Sequence, residues 1–309
     1  MTMKVAFLGP EGTYTHQAVN QQFGSGNDVE ILAQKSISDC FEILNDEKVD
    51  YAVVPLENST NGQVVYTYDL LRDWFLLHDS GSKGEATDKP EFRVVAEQFV
   101  SIQHNFLTKA EKIEDVDVIY SHPQVWGQVK NFLKNKVPKD ASTVDTGSTA
   151  KAAEKVYNDE TKSSACISSF MSAQLYELPI LYKNIEDNSK NTTRFLVLGH
   201  KGISYKHDKP QGDRGNQEQD YVTLVTFILG DDDPGALCDA LNSFKTYNIN
   251  LTSINSRPYP GRNWRYAFFI ELIGKKDDEY VFKSLSDLEK SVSSMMVLGS
   301  FERCWRYWG

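Results

Sequence analysis

Along the first 199 residues, short apolar runs alternate with stretches of helical periodicity. Residues 5–8, 29–32, 51–54, 92–100, 116–120, 165–167 and 194–198 have the length and the β-branched and aromatic content of strands. Amphipathic segments lie between several of them, such as residues 124–133, where Val125, Val129, Phe132 and Leu133 share one helical face. This alternation predicts an α/β region with a mostly parallel sheet, whose ligands bind beyond the carboxyl ends of the strands. Residues 80–90, with Gly81, Gly84 and Pro90, interrupt the pattern and read as a surface insertion. Residues 200–220, dense in Lys, Asp, Gln and Gly, read as a linker. Beyond it the pattern becomes strand (221–229), helix (235–247), strand (251–257), strand (266–273), helix (280–296) and strand (301–303). The first of these helices carries Leu237, Leu241 and Phe244 on one face; the second carries Phe282, Leu285, Leu288, Val292 and Met295. That order predicts a ferredoxin-like βαββαβ module. The expected domains are therefore 1–199 and 220–309, joined by a linker at 200–219.

The chain of 309 residues carries a formal charge of -10 and no basic cluster interleaved with aromatics. Its long-range field repels nucleic acid and anionic membranes, so neither is expected as a partner. An anionic ligand must be held by local cations, amide groups and helix N-termini. Cys40, Cys166, Cys238 and Cys304 are scattered without a CxxC pair or a His at ligand spacing, which predicts reduced thiols, no metal and no cofactor. The first residues run straight into a strand pattern, and a cytoplasmic location is expected.

Five places put polar groups where strands end. Residues 9–16 (Gly-Pro-Glu-Gly-Thr-Tyr-Thr-His) open a helix whose N–H groups can cradle a carboxylate, although a tight turn capped by Thr15 explains them as well. Pro55-Leu56-Glu57-Asn58-Ser59 empties a strand into polar groups. Tyr120-Ser121-His122-Pro123-Gln124, with Gln128 a helical turn further on, sets a serine, a histidine and two amides together. Gly147-Ser148-Thr149-Ala150 opens another helix, and Asn191-Thr192-Thr193-Arg194-Phe195 begins an apolar strand. These five ends are expected to converge on one cleft. There is no nucleophile elbow, no GxxxxGK and no GxGxxG after a strand, so the chemistry needs hydrogen-bond donors and one acid rather than covalent attack.

In that order, residues 9–14, 54–59, 120–124 and 191–195 resemble the motifs of the prephenate dehydratase family. The C-terminal part is similar to that family's ACT domain, with Gly235-Ala236-Leu237-Cys238 at the GAL-type motif and Asn255-Ser256-Arg257-Pro258 where Glu-Ser-Arg-Pro is usual. Asn61, Trp126-Gly127 and Asn255 depart from the family pattern. The resemblance implies a two-lobed catalytic region like type II periplasmic binding proteins, with substrate in the interlobe cleft. It also implies conversion of prephenate to phenylpyruvate, water and carbon dioxide.

Prephenate loses its ring carboxylate as the ring hydroxyl departs, and aromatisation drives the step, so one proton donor suffices. The resemblance makes Thr193 that donor, with Glu57 and His122 as rivals, in a catalytic set of Thr193, Arg194, Asn58, Ser121, Gln128 and Glu57. A cation on the ring carboxylate would stabilise charge that the transition state disperses, which leaves Arg194 for the pyruvyl carboxylate or for positioning Thr193. Thr13, Ser59, His122, Ser148, Thr149 and Phe195 are the expected substrate-binding positions. Gly235, Ala236, Leu237, Asn255, Ser256, Arg257 and Pro258 are expected to hold L-phenylalanine as effector, the 255–258 turn closing the pocket at the interface of a homodimer or homotetramer. Arogenate dehydratase, acting on the amino-acid analogue, and a non-catalytic amino-acid-binding regulator are the alternative readings.

Overall fold

The computed structural model describes residues 2–78, 92–200, 221–230, 234–260 and 263–304. The expected insertion at 80–90, the linker from 201 onward and Asp233 lie outside them. The chain begins β1 (Met3–Leu8), α1 (Tyr14–Phe23), β2 (Val29–Gln34), α2 (Ile37–Asn45), β3 (Tyr51–Asn58), β4 (Gly62–Gln63), α3 (Val65–His78) and β5 (Phe92–Ser101). It continues with β6 (Asn105–Thr108), β7 (Val118–Ser121), α4 (Pro123–Trp126), α5 (Lys130–Lys136), β8 (Ser142–Asp145), α6 (Thr149–Tyr157), β9 (Ser164–Ser168), α7 (Phe170–Leu175), β10 (Ile180–Tyr182) and β11 (Thr192–His200). The last elements are β12 (Tyr221–Ile228), α8 (Ala236–Thr246), β13 (Leu251–Pro258), β14 (Tyr266–Ile273), α9 (Glu279–Ser291) and β15 (Ser294–Glu302).

Three sheets follow. The first has the order β2-β1-β3-β11-β5, with β4 paired to β3, and β1 runs parallel to β2 from Met3 against Val29 to Leu8 against Gln34. The second has the order β10-β6-β9-β7-β8. In it β7 is parallel to β8 and β9, while β6 is antiparallel to β9 and β10 to β6. Successive residues of a strand face opposite sides, so Phe106 and Ile167 pack with Ile119, Val129 and Phe132 on one face, and Leu107 and Cys166 with Ala152, Ala153 and Val156 on the other. The third sheet, β13-β14-β12-β15, is antiparallel throughout, the ferredoxin-like order that the sequence pattern predicts. Val225, Phe227, Ile270 and Leu272 on its inner face bury against Phe244 of α8 and Val281, Leu285 and Leu288 of α9.

Two expected helices are corrected. Residues 124–133 form two short helices separated at Gly127–Gln128–Val129, because Asp187, far along the chain, accepts the N–H groups of Lys130 at 2.8 Å and Asn131 at 3.1 Å and so starts α5 afresh. The second helix of the C-terminal module ends at Ser291 rather than near residue 296, and residues 294–302 are strand. Met295 and Val297 still reach the core there, because a continuous apolar run satisfies a two-residue period as readily as a helical one.

The chain divides into two compact units. One comprises residues 1–40, 53–63 and 99–195; the other comprises residues 41–52, 64–98 and 196–309. Every candidate side chain of the first 195 residues lies in the first unit, and the ferredoxin-like module lies in the second. Among the described residues no helix is long and apolar enough to cross a membrane.

Within the second unit the fully buried Glu97 of β5 and the buried Glu271 of β14 share the guanidinium of Arg303, Glu97 also accepting the Cys304 N–H at 3.0 Å. A buried ion pair adds little net stability, but removing one partner strands charge away from water. Arg303→Met is therefore expected to lower unfolding free energy by about 3–5 kcal/mol in urea titrations, and an unchanged midpoint would show that this cluster is not needed.

Candidate active site

The site begins at the carboxyl end of β3, beside β11 in the first sheet. The Asn58 side chain is fixed at both ends. Its Oδ1 accepts the N–H groups of Thr60 at 2.9 Å and Asn61 at 2.8 Å, which closes the turn into β4. Its Nδ2 must therefore face β11, where it donates to Asn191 Oδ1 at 2.8 Å, Thr193 Oγ1 at 2.9 Å and Thr192 O at 3.3 Å. Ser59 ties the same strands together, its N–H bonding Thr192 O at 2.8 Å and its Oγ accepting the Thr192 N–H at 2.9 Å.

That polarity propagates. Asn191, buried, has its Oδ1 occupied by Asn58 and donates from Nδ2 to Gln128 Oε1 at 2.8 Å. Gln128 sits in the break between α4 and α5, and the same oxygen lies 2.7 Å from His104 Nε2. An acceptor shared in this way requires a proton on His104 Nε2. His104 is buried, and burial holds its pKa below the ordinary histidine value despite the Gln128 bond and the Glu186 charge. Its Nδ1 lies 3.2 Å from the Tyr14 hydroxyl, which also donates to Gln103 O at 2.9 Å, while Glu186 Oε2 accepts the His104 backbone N–H at 2.9 Å. Burial first, and then the Glu186 charge, raises the Tyr14 pKa and keeps its proton in place.

Consecutive strand residues face opposite sides, so the partners of Glu57 and Arg194 lie across the sheet from those of Asn58 and Thr193. Arg194, 4% exposed, pairs with Glu57 through Nη1–Oε1 at 3.1 Å, and its guanidinium lies 5.7 Å from the Phe99 ring centroid.

The other predicted positions divide into caps and core. Thr13, rather than Thr15, is the N-cap of α1, accepting the His16 N–H at 3.3 Å and donating to Pro10 O at 2.9 Å. His122 caps α4 by accepting the Gln124 N–H at Nδ1, so its neutral ring keeps the Nε2 proton; burial lowers its pKa, against an opposing effect of Asp145. Ser148 caps α6 through the Lys151 N–H at 3.1 Å, and Thr149 is the first residue of that helix. Ser121 is buried and donates to Ile167 O at 2.8 Å, and Phe195 is a core residue.

The five strand ends do converge. Tyr14 connects the first to His104, Gln128 the third to Asn191, and Asn58 the second to Thr193 of the fifth. The fourth adjoins the first at Gly12, whose φ of +85° suits glycine and whose Cβ would meet Ala150 Cβ at 3.6 Å and Ser172 Oγ at 3.2 Å. The sequence reading gives no role to His104, Asn191 or Tyr14. Asn191 and Tyr14 stand inside strings already singled out, but His104 precedes a four-residue strand too short to show a pattern.

In the second unit a cavity of about 330 Å³ is lined by Leu229, Gly230, Gly235, Ala236, Leu237, Cys238, Trp264, Arg265, Tyr266 and Phe268. Gly235, at φ +95°, is the N-cap of α8. Residues 255–258 do not line this cavity, and they form the end of β13 rather than a turn. Asn255 donates to the Tyr68 hydroxyl at 2.9 Å, Arg257 grips Asp69 at 2.7 and 3.1 Å, and Pro258 O accepts from Arg72 at 2.8 Å, with Ser256 between them. A cavity of about 550 Å³ beside Tyr120, Lys151 and Lys155 contains none of the predicted site residues. Among the described residues no cluster of His, Cys, Asp and Glu is arranged to hold a metal ion, and Cys40, Cys166, Cys238 and Cys304 are thiols, all but Cys238 buried.

A hydroxyl held by a one-way chain of amides defines a site for hydrogen-bond and proton donation. The family model that matches this chain, over residues 5–203, is that of prephenate dehydratase. A relative from Saccharomyces cerevisiae, named a probable prephenate dehydratase, is 40% identical, the alignment covering 99% of this chain and 98% of the relative. A solved prephenate dehydratase from Arthrobacter aurescens in complex with L-Phe is 27% identical with a TM-score of 0.81, covering 97% of this chain and 90% of its own. A structure described as a quorum-quenching acylase, 24% identical with a TM-score of 0.78 over 98% of this chain and 99% of its own, shares the fold. The chain belongs to the prephenate dehydratase family.

Replacing Asn58 by Leu keeps the bulk and removes both ends of the amide. The oxygens of Asn191 and Thr193 then lose their donor and the Thr60 and Asn61 amides their acceptor, so a destabilisation of about 1–3 kcal/mol is expected in urea unfolding. A loss under about 0.5 kcal/mol, the usual range for surface substitutions, would mean that the network does not hold the two strands.

Proposed function

We propose that this chain is a prephenate dehydratase that converts prephenate to phenylpyruvate, carbon dioxide and water and is inhibited by L-phenylalanine. The observation that carries the reading is the 2.9 Å bond from Asn58 Nδ2 to Thr193 Oγ1. Because that bond uses a lone pair of Oγ1, the Thr193 proton is left to be donated elsewhere. As the ring C–O bond breaks with its electron pair going to oxygen, Thr193 protonates the departing hydroxyl. The bond to the ring carboxylate breaks in the same process, its pair closing the aromatic ring. The Asn58 N–H stabilises Oγ1 as it loses its proton, which solvent then restores.

Around the ring and the side chain, Gln128 supplies N–H donors, since its carbonyl is committed to Asn191 and His104. Ser59, His122 Nε2, Ser148, Thr149 and the capped turn at Thr13 complete the polar surround, with Ser121 supporting from the buried side through Ile167 O and Phe195 of β11 in the core. Arg194 acts from the opposite face through Glu57, as a positioning residue for Thr193. Residues 1–199 are the catalytic region, 200–219 a linker and 220–309 an ACT-type regulatory domain. The location is cytoplasmic, with no cofactor.

L-Phenylalanine occupies the cavity at Gly235, Ala236 and Leu237. The exposed Ile254, Trp264 and Phe282 support self-association into a dimer or tetramer. Coupling to the site runs through Asn255 and Arg257, which hold Tyr68 and Asp69 of α3, the helix that follows the Asn58 hairpin in the chain.

Purified protein is tested with prephenate and with arogenate. Phenylpyruvate from prephenate supports the reading; phenylalanine from arogenate alone reassigns the substrate. Thr193→Ala should lower kcat about 100-fold or more with little change in KM, and Thr193→Ser should retain most of the rate, because the lost interaction forms in the transition state. Near-normal turnover by the alanine variant would move the proton donor elsewhere.

Calorimetry with L-phenylalanine is expected to show binding to the full chain, with a coupling to prephenate of about 1–3 kcal/mol. Asn255→Leu should leave that binding in place while weakening inhibition. Absence of binding would remove the regulatory reading, and undiminished inhibition in the variant would remove the route through Tyr68.

A further inference from the structure

The chain of amides that presents Thr193 has two ends, and only one of them belongs to the strings that the family resemblance covers. At the Asn58 end, polarity is imposed by the Thr60 and Asn61 N–H groups. Followed outward, it leaves Gln128 Oε1 as the last acceptor, and an amide whose carbonyl had a single partner would still be able to swing. His104 supplies the second. Its Nε2–H meets Gln128 Oε1 at 2.7 Å, alongside the Asn191 donor, so both lone pairs of that oxygen are spoken for.

We propose that His104 is a positioning residue of the dehydration, fixing the Gln128 amide with its carbonyl inward and its two N–H bonds available to substrate. The proposal rests on the prephenate reading of the site. A neutral imidazole has one N–H, and if it moved to Nδ1 the bare Nε2 would face an oxygen at 2.7 Å. Relief would require Gln128 to turn over and set its amino group against the Asn191 amino group. Asn191 would have to turn in its place, against an Asn58 that cannot. The Glu186 carboxylate on the His104 backbone N–H together with the edge-on ring contact to Tyr14 keeps the imidazole where it is. Burial of the ring, 1% exposed, excludes water that would otherwise compete for either nitrogen.

The same residue could serve only to fill space, and the experiment separates the two roles. His104→Phe keeps a ring and loses the donor; His104→Gln places an amide N–H within reach of Gln128. Supporting groups of this kind typically change activity by about 10–100-fold. His104→Phe is expected to lower kcat on prephenate by about that factor, and His104→Gln to recover most of it although it fills the ring's space less well. If kcat in the two variants simply followed their thermal stabilities, or if His104→Phe kept kcat within twofold of the unaltered chain, the positioning role would be overturned. Should His104→Phe fail to fold, the ring tautomer of the unaltered protein decides. Nitrogen-15 spectra of the unaltered protein give a readout independent of turnover, a protonated Nε2 with bare Nδ1 on His104 being expected and the opposite tautomer contradicting it. An unaltered chain that shows this tautomer but does not turn over prephenate would instead fault the functional reading.

Discussion

An amide side chain donates from one end and accepts at the other, and at Asn58 the backbone decides which end is which. The turn into β4 offers two N–H groups to Oδ1, so Nδ2 can only face β11. Every subsequent bond inherits that direction: Asn191 must accept from Asn58 and donate to Gln128, which must accept, and His104 must carry its proton on Nε2. Asparagine and glutamine rotamers separated by a half-turn differ little in shape, so the network selects one arrangement by hydrogen-bond polarity where packing alone would allow two. In a partly buried setting each wrong choice would strand a polar group, at a cost of about 1–3 kcal/mol. At the end of the chain of bonds the Thr193 oxygen receives an N–H, and its own proton is directed elsewhere.

The fold brings the members of this network together from distant parts of the sequence by adjacency in sheets. Asn58 and Thr193 meet because β3 and β11 are neighbours, and the two-residue period of those strands sends Glu57 and Arg194 to the other face. One pair of adjacent dipeptides thus provides a neutral hydrogen-bonded face and, on the other side, an ion pair of the buried Arg194 with the partly exposed Glu57. On a chain of net charge -10 this separation matters: the Arg194 cation is committed to Glu57 and lies across the sheet from the Thr193 hydroxyl.

Much of this was legible in the sequence, because strand ends rich in Asn, Ser, Thr and Gln after apolar runs have few structural explanations when five occur in one region. Four of the strands that carry them, β1, β3, β7 and β11, were visible as apolar runs, while β8 ahead of the fourth end was not; the order of the C-terminal module was visible too. What was not legible has two causes. Strands of three or four residues such as β6 and β10 are too short for periodicity, and His104 was lost with β6. The break that places Gln128 depends on Asp187, which caps α5 from more than fifty positions away in sequence; no local pattern announces a cap supplied by another segment. Hydroxyls posed a different difficulty. Thr13, Ser148 and Ser121 resemble donors in sequence, but each is engaged with backbone in the fold, and only the bonding partners distinguish a cap from a group held ready.

The C-terminal module bears on the same logic of direction. Asn255 stands where the family pattern has a glutamate, and its Nδ2 donates to Tyr68 Oη while Arg257 beside it holds Asp69 in a two-bond grip. A carboxylate at 255 could only accept from Tyr68, so the substitution reverses this bond without removing it, and the tyrosine proton is released for another partner. Val94 of β5 also lies against Gly299 of β15, where a Cβ would collide with the Val94 backbone, and Arg303 draws Glu97 of β5 to Glu271 of β14. The module is therefore packed into the same compact unit as α3 and most of β5, and cutting the chain after Gly199 would expose a closely fitted face and leave Glu97 without its cation. A ligand on this module would act on the rest of the chain only through contacts that differ between two states, and α3 and β5 are the elements that the module holds.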